Sequence, residues 1–417
     1  MTACGLDFGT SNSAIGVARD GRLALAPVEG RSTLVPSAIF FDLEQHGRVL
    51  FGQTAIDSYI AGHDGRLMRA LKTILGSPLI DEATAVGRRR IKLTEVVELY
   101  VRHLKQRAEE FAGCEITQVV HGRPVHFVDG DEAADRRAQS VLEDIARRAG
   151  FRDVVFEYEP IAAAYHYEET VAREELVLVA DIGGGTSDFS VIRIGPERRT
   201  RPDRRADLLS SAGARIGGTD FDTRLSLDTA MPLLGMGTQL ATKDLPMPKA
   251  IYYELATWAT INFAYNYKTE REVRELLAQA VEPKRVSRLL KTIRQRLGHR
   301  IALGIEETKV ALSDSERASL ALDFLAEGLS VEATRDGFES AIADKTAALT
   351  KIATSCIADA GVAAGDVQTL FFTGGSSRVP AVREAIRRAA PEASEVGGSD
   401  FLSVALGLTR EAQRRFG

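Results

Sequence analysis

At 417 residues the chain is long enough for two or more lobes, each with a core of its own. A hydrophobic share of 44% and a charged share of 27% belong to a soluble globular protein. A net charge of −5 argues against both nucleic acid and a membrane surface as partners.

The first predicted element is a strand that delivers Gly5-Leu6-Asp7-Phe8-Gly9-Thr10-Ser11-Asn12-Ser13 and returns through residues 14–17. Residues 22–28 and 35–42 read as short strands, with Leu34-Val35-Pro36-Ser37 at their junction. A helix begins near Gln53, and residues 66–76 follow with Lys72 near their middle. Helical periodicity runs over 93–112 through Val96, Val97, Leu99, Tyr100 and Leu104. Residues 116–121 form a strand that Gly122-Arg123-Pro124 breaks. A helix over 131–149 stops at Gly150, and a strand over 154–158 follows. Glu159-Pro160 then opens a helix over 161–168, with Pro in the first turn where helix starts favour it.

A second acid-glycine run comes next. An apolar strand over 176–180 delivers Asp181-Ile182-Gly183-Gly184-Gly185-Thr186-Ser187-Asp188, and the chain returns over 189–194. Residues 198–205 carry five arginines and read as a solvated basic turn rather than a nucleic-acid contact. A strand over 208–214 leads to Gly217-Gly218-Thr219-Asp220 at a helix start, a further place for a phosphate or ribose. Residues 223–315 are mostly helical, with Trp258 and Phe263 expected in the core. There Lys284, Arg285, Arg288, Lys291, Arg294 and Arg296 are expected to form one solvated helix face. A strand over 329–334 and a long helix over 340–360 precede a buried strand over 367–372. That strand ends in Thr373-Gly374-Gly375-Ser376-Ser377-Arg378-Val379-Pro380, which opens another helix. Asp400 is predicted to cap a last helix through residue 412.

Cys4, Cys114 and Cys356 are odd in number and far apart, with neither metal spacing nor a disulfide framework, so a reducing compartment is expected. No run approaches ~18 consecutive apolar residues. The first strand begins almost at once and leaves no room for a signal peptide. The expected location is the cytoplasm.

The two glycine runs carry the chemistry. Gly lets the backbone approach a ligand closely, and successive N–H groups in such a turn make an anion-binding nest. A carboxylate beside a phosphate nest makes sense when a hard cation such as Mg²⁺ sits between them. One run alone is also what a plain glycine-rich hairpin looks like. Two copies far apart in sequence point to two similar lobes facing each other across a nucleotide.

Two Asp-Gly-Thr hairpins, a Glu-Pro helix start, a Gly-Gly-Thr-Asp turn and a Thr-Gly-Gly-Ser-Ser-Arg turn, in this order, resemble the actin-like ATPase superfamily. The likeness is greatest to the nucleotide-binding half of the DnaK-type heat-shock (Hsp70) chaperones, and to their short YegD-like branch. It implies an α/β, two-lobed, ribonuclease H-like fold, each lobe a five-stranded mixed sheet flanked by helices. Lobe I would span 1–174, with an outer subdomain over about 25–112. Lobe II would span 175–400, with an outer subdomain over about 223–306, and the helix of 401–417 would return to lobe I.

The resemblance also implies ATP/ADP and Mg²⁺ as cofactors. Asp7, Asp181 and Asp188 would serve the metal, and Gly9, Thr10, Ser11, Asn12, Gly183, Gly184, Gly185 and Thr186 the phosphates. Gly217 and Gly218 match the turn near phosphates and ribose, Glu306 and Lys309 the ribose side, and Gly374, Gly375, Ser376 and Arg378 the adenosine turn. Lys72, Glu159, Asp181 and Thr186 are the expected catalytic set; either Glu159 or Asp181 would hold the attacking water. For Lys72 the alternative is a surface lysine on an amphipathic helix, and for Glu159 a helix-start acid favoured by the dipole.

The sequence departs from the family in three places. Val310 stands where an arginine stacks on adenine, Thr219 stands where an acid follows the glycine pair, and neither an interdomain linker nor a β-sandwich is expected after the last helix. The expected function is a slow Mg²⁺-dependent ATPase acting as a chaperone-type switch, with any protein partner bound on the nucleotide domain itself. An ATP-sensing scaffold, a small-molecule kinase and a filament former are the alternatives.

Overall fold

The computed structural model describes residues 2–19, 22–44, 47–128, 131–199, 201, 204–241, 245–397 and 402–417. One unit comprises Met1–Arg215, Lys351–Ser377 and Ile386–Gly417, and a second comprises Ile216–Thr350 and Arg378–Ala385.

The first unit contains the same strand pattern twice. Strand β1 (Thr2–Phe8) pairs antiparallel with β2 (Asn12–Arg19), and β2 with β3 (Arg22–Leu25). Beyond helix α1 (Leu93–Ala112), strand β4 (Ile116–Arg123) joins the other side of β1 in parallel. Helix α2 (Glu132–Arg148) then leads to β5 (Asp153–Tyr158), parallel to β4. The order is β5-β4-β1-β2-β3, and the short strand Val35–Pro36 pairs with β2 off this path. After helix α3 (Glu159–Glu168) the pattern repeats: β6 (Glu175–Ile182), β7 (Ser187–Ile194) and β8 (Leu208–Ala214) form an antiparallel meander. Strands β9 (Thr369–Thr373) and β10 (Ser394–Gly397) add in parallel beside β6, giving β8-β7-β6-β9-β10. The chain ends in helix α4 (Ser403–Phe416). This is the mixed α/β fold that the resemblance implies, with a five-strand path in each of two mixed sheets and Val35–Pro36 as a sixth strand in the first.

Period-two alternation splits β1 between two cores. Cys4, Leu6 and Phe8 face the first, with Tyr100 and Leu104 of α1 and Leu142 and Ile145 of α2. Ala3 faces the second, which holds Val120, Ala162 to Ala164 of α3, Val177 and Val179 of β6, Phe371 of β9 and Leu408 of α4. Each large apolar side chain buried there contributes roughly 1.5–3 kcal/mol. Small residues let the helices come this close: a Cβ on Gly407 of α4 would lie 1.9 Å from Ala162 O of α3.

The second unit is mainly helical, with Gly218–Asp228, Ala250–Ala256, Tyr267–Gln279, Pro283–Arg294 and Gly298–Asp314 its longer helices. Phe263 is not in its core: it is 68% exposed. Trp258 is half-buried, edge-on to His299 at 4.7 Å between ring centroids. Val286, Leu289, Leu290 and Ile293 form the buried face of Pro283–Arg294. Of the basic residues opposite, Lys284, Arg294 and Arg296 are exposed as expected. Arg285 and Arg288 instead donate to the Pro232 and Leu233 carbonyls at 3.3 and 3.2 Å, and Lys291 to Leu325 O at 3.1 Å. The first two carbonyls lie at the end of the helix Ala230–Leu233, where such groups lack intrahelical partners.

Three further expectations change. The helix over 340–360 is broken at Ile342 into Arg335–Ala341 and Ala343–Asp359. The last helix runs to Phe416, and Asp400 lies outside the described residues. The basic run 198–205 is no solvated turn throughout, because Arg204 is buried. It clasps Glu168 at 2.8 and 2.9 Å and also bonds Asp207, which Arg198 bonds in turn. Buried carboxylates at the end of α3 and before β8 require those cations.

The α3–α4 contact makes a prediction. Gly407→Ala drives a methyl group into a backbone carbonyl, and we expect it to cost roughly 1–3 kcal/mol, seen as a lower urea midpoint with an unchanged slope.

Candidate functional site

The topological repeat places the two glycine turns at equivalent positions, one after β1 and one after β6. Asp7 lies opposite Ala14, and Asp181 opposite Asp188. The second turn closes with Gly183 N–H donating to Thr186 O at 2.9 Å. Gly9, Thr10, Ser11 and Asn12 of the first turn and Gly183 to Thr186 of the second are all partly open to solvent. The tips touch: a Cβ on Gly184 would lie 2.0 Å from Ser11 Oγ, so a side chain there would displace the Ser11 hydroxyl. A third glycine bend meets the second turn. Gly374 follows β9 with φ +78°, and a Cβ there would lie 2.5 Å from Asp181 Oδ1. Ser376 Oγ donates to Gly183 O at 3.0 Å, and Gly375 opens the 3₁₀ turn Gly375–Arg378.

Lys72 reaches the same place from a 3₁₀ turn, Leu71–Ile74, entered through Ala70 at φ 56°. It is not a surface lysine on an amphipathic helix. Its Nζ lies 2.6 Å from Glu159 Oε1, with the two side chains 10% and 11% exposed. Glu159 is the first residue of α3, and that position alone leaves a helix-start acid as one reading. The buried pair with Lys72 gives it a second.

The electrostatics combine burial with crowded like charges. Burial, then Glu159 and Asp181, raise Asp7 from the ordinary value of 3.8 to about 8, against the pull of Lys72. Burial, then Asp188 and Glu159, raise Asp181 to about 7. Burial works to lower the Lys72 ammonium, but Glu159, Asp7 and Asp181 outweigh it and hold Lys72 above the usual lysine value.

Among the described residues no three His, Cys, Asp or Glu side chains gather closely enough to grip a metal ion directly. The donor set still fits Mg²⁺, which keeps most of its waters and takes few carboxylates. Asp7 and Asp181 are raised by burial first and then by the carboxylates around them, and a divalent ion would favour their charged forms.

The second unit gathers a separate group. Gly217 and Gly218 begin the helix Gly218–Asp228, and Asp220 Oδ2 accepts from Gly217 N–H at 3.0 Å. Lys309 Nζ lies 2.8 Å from Asp222 Oδ1 and 3.3 Å from Gly218 O. Glu306 precedes Lys309 by three positions on Gly298–Asp314, and Val310 follows it, 51% exposed. Arg378 meets Asp314 of the same helix at 3.3 Å.

Sequence reasoning missed several partners. Asp222 and Asp314, which hold Lys309 and Arg378, carried no local signal. Ser37 was noted only as part of a junction, yet its hydroxyl donates to Gly9 O at 2.7 Å. A serine after Val-Pro, between two short strands, was the available clue.

The raised carboxyls set a pH dependence. Between pH 3.8 and about 8 the unfolded chain has released these protons while the folded protein retains them. Stability therefore falls as pH rises through that window. We expect Asp181→Asn to raise the stability of the nucleotide-free protein at pH 8 by on the order of 2 kcal/mol. At pH 4 it should change little, and thermal melting at the two pH values checks this.

Comparison with known proteins identifies the family. The chain is 26% identical over 392 residues to "Chaperone protein DnaK" of Mycoplasmopsis agalactiae (strain NCTC 10123 / CIP 59.7 / PG2), covering 92% of this chain and 53% of that protein. The chain thus spans about half the length of the curated relative it matches. The family model described as "Hsp70 protein" matches residues 3–231 and 272–401, most of both units, and the chain therefore belongs to the Hsp70 family.

Proposed function

We propose that this protein binds ATP and hydrolyses it slowly, with Mg²⁺, to ADP and phosphate, and that the change of nucleotide acts as a chaperone-type switch. The observation that carries the reading is the meeting of the two acid-glycine turns, Asp7 and Asp181 beside them, with the Lys72–Glu159 pair. The turn N–H groups around Thr10, Ser11 and Gly184 to Thr186 receive phosphate oxygens. Asp7, Asp181 and Asp188 are the carboxylates that would hold Mg²⁺, which neutralises charge on the phosphate tail when bound. Lys72 stabilises charge developing on the terminal phosphoryl group. Glu159 Oε1 is engaged by Lys72, so the attacking water is assigned to Oε2, and Asp181 is the alternative acceptor of its proton.

Gly217, Gly218, Glu306, Lys309, Gly374, Gly375, Ser376 and Arg378 are proposed as the nucleoside-side contacts. The repeated sheet pattern supports a division into lobes at residues 174 and 175. A protein partner is proposed to bind this nucleotide domain directly, and a cytoplasmic location fits. No helix among the described residues is long and apolar enough to cross a membrane.

A second reading, ATP sensing without turnover, is favoured by one contact: the Lys72–Glu159 pair at 2.6 Å occupies two groups that hydrolysis needs. Phosphate release from Mg²⁺-ATP decides between them. We expect slow wild-type turnover, abolished in Asp181→Ala and reduced roughly 10²-fold or more in Lys72→Ala. Tight ATP binding with release at background would establish the sensing reading instead. Base selectivity is a further prediction: Val310→Arg should tighten ATP several-fold, by about 0.5–1 kcal/mol of cation–π stacking, measured by calorimetry against GTP.

A further inference from the structure

Hydrogen bonds beneath the two turns give a role to two serines, an inference that rests on reading the turns as phosphate sites. Ser37 follows the strand Val35–Pro36, which pairs with β2 under the first turn, and is 1% exposed. Its Oγ donates to Gly9 O at 2.7 Å, and its N–H donates to Ser11 O at 2.8 Å. Ser13 Oγ lies 2.8 Å from Ser37 Oγ, and Tyr100 OH donates to Pro36 O at 2.9 Å, fixing the segment to β2 and α1.

A peptide unit is planar and trans, so its C=O and N–H point in opposite directions. Drawing the Gly9 and Ser11 carbonyls down toward Ser37 therefore turns the N–H groups of Thr10 and Asn12 the other way.

The second turn has the same device. Gly183 is the counterpart of Gly9 in the topological repeat, and its carbonyl accepts from Ser376 Oγ at 3.0 Å. Ser376 is itself buried. The N–H on the far side of that peptide belongs to Gly184, the residue packed against Ser11 Oγ. Each serine comes from a segment remote in sequence from its turn. A glycine peptide flips readily when nothing holds it, because glycine occupies both signs of φ.

We propose that Ser37 and Ser376 are positioning residues that preset the Thr10 and Gly184 N–H groups for a polyphosphate. Neither turn then has to reorganise when the anion arrives, and that preorganisation is the source of the affinity.

Two readouts test this. Calorimetry with ATP, ADP and AMP reads affinity. Ser37→Ala should weaken ATP and ADP roughly three- to tenfold and leave AMP nearly unchanged. Ser37→Cys, which keeps the volume with a weaker donor, should fall between. An equal loss for all three nucleotides, or no loss, overturns the assignment. Amide NMR of the nucleotide-free protein reads the turns directly. Ser37→Ala should shift or broaden the signals of residues 9–12 and spare 183–186, and Ser376→Ala should do the reverse. Unchanged turn amides in both variants overturn the presetting whatever the affinities. If the wild type binds no nucleotide, the proposed function fails, and the NMR result alone still decides whether the serines set the turns.

Discussion

Carboxylates that would drift apart in water are held together here by backbone packing. The turn after β1 and the turn after β6 meet through Gly184 against Ser11 Oγ, and Gly374 presses close to Asp181 Oδ1. A side chain at Gly374 would meet backbone, 2.4 Å from Ile182 O, and one at Gly184 would displace the Ser11 hydroxyl, so the close approach depends on both glycines. Its electrostatic consequence is that Asp7 and Asp181 carry carboxyls raised to about 8 and about 7, with Lys72 as their nearby counter-charge. Low dielectric amplifies repulsion and attraction alike. An arrangement that costs stability at neutral pH in the free protein is relieved by added positive charge. That relief is why the proposed reading places Mg²⁺ and a phosphate tail at these turns.

The repeated sheet pattern is what brings the acids to one place. In each copy the first strand of an antiparallel meander is flanked on its other side by two parallel strands. The acid therefore sits on a strand with neighbours on both sides, where the backbone is most rigid, while the glycines follow on the turn. Helix α3 lies against strands of both copies, and α4 packs on α3 and on the strands of the first copy, with one apolar core between them. Gly407 permits the closest of those helix contacts, and the separation of the two turns is thereby tied to side-chain packing well away from them.

The sheets, the long helix α1 and the glycine turns were legible because each rests on a local pattern: alternation, 3.6-residue periodicity, or an acid followed by glycines. The prediction of a helix over 93–112 matches α1 residue for residue. What the sequence hid were features decided by distant partners. Arg204 looked like part of a solvated turn, yet Glu168 and Asp207 draw it inside. Phe263 looked like core because it is aromatic, yet the helices around it bury other residues instead. The partners of Lys309 and Arg378 are acids, Asp222 and Asp314, with nothing local to mark them. Ser37 belongs to the same class, since a hydroxyl that sets a peptide plane far along the chain has no periodicity to betray it.

Helix α3 shows how such distant pairs complete the site. Its first residue, Glu159, is bonded to Lys72, and its last, Glu168, is clasped by both outer nitrogens of Arg204 and by Gly195 N–H at 2.9 Å. Between them Ala162, Ala163 and Ala164 are fully packed. Removing one member of a buried ion pair strands the other and costs about 3–5 kcal/mol, so neither end of the helix is free to slide while its partner stays in place. The ten-residue helix is thus anchored by an ion pair at each terminus. The carboxylate it carries into the site therefore holds its position by the basic run at its far end as well as by Lys72, and a stretch of sequence that looks like solvated surface becomes part of what aims Glu159.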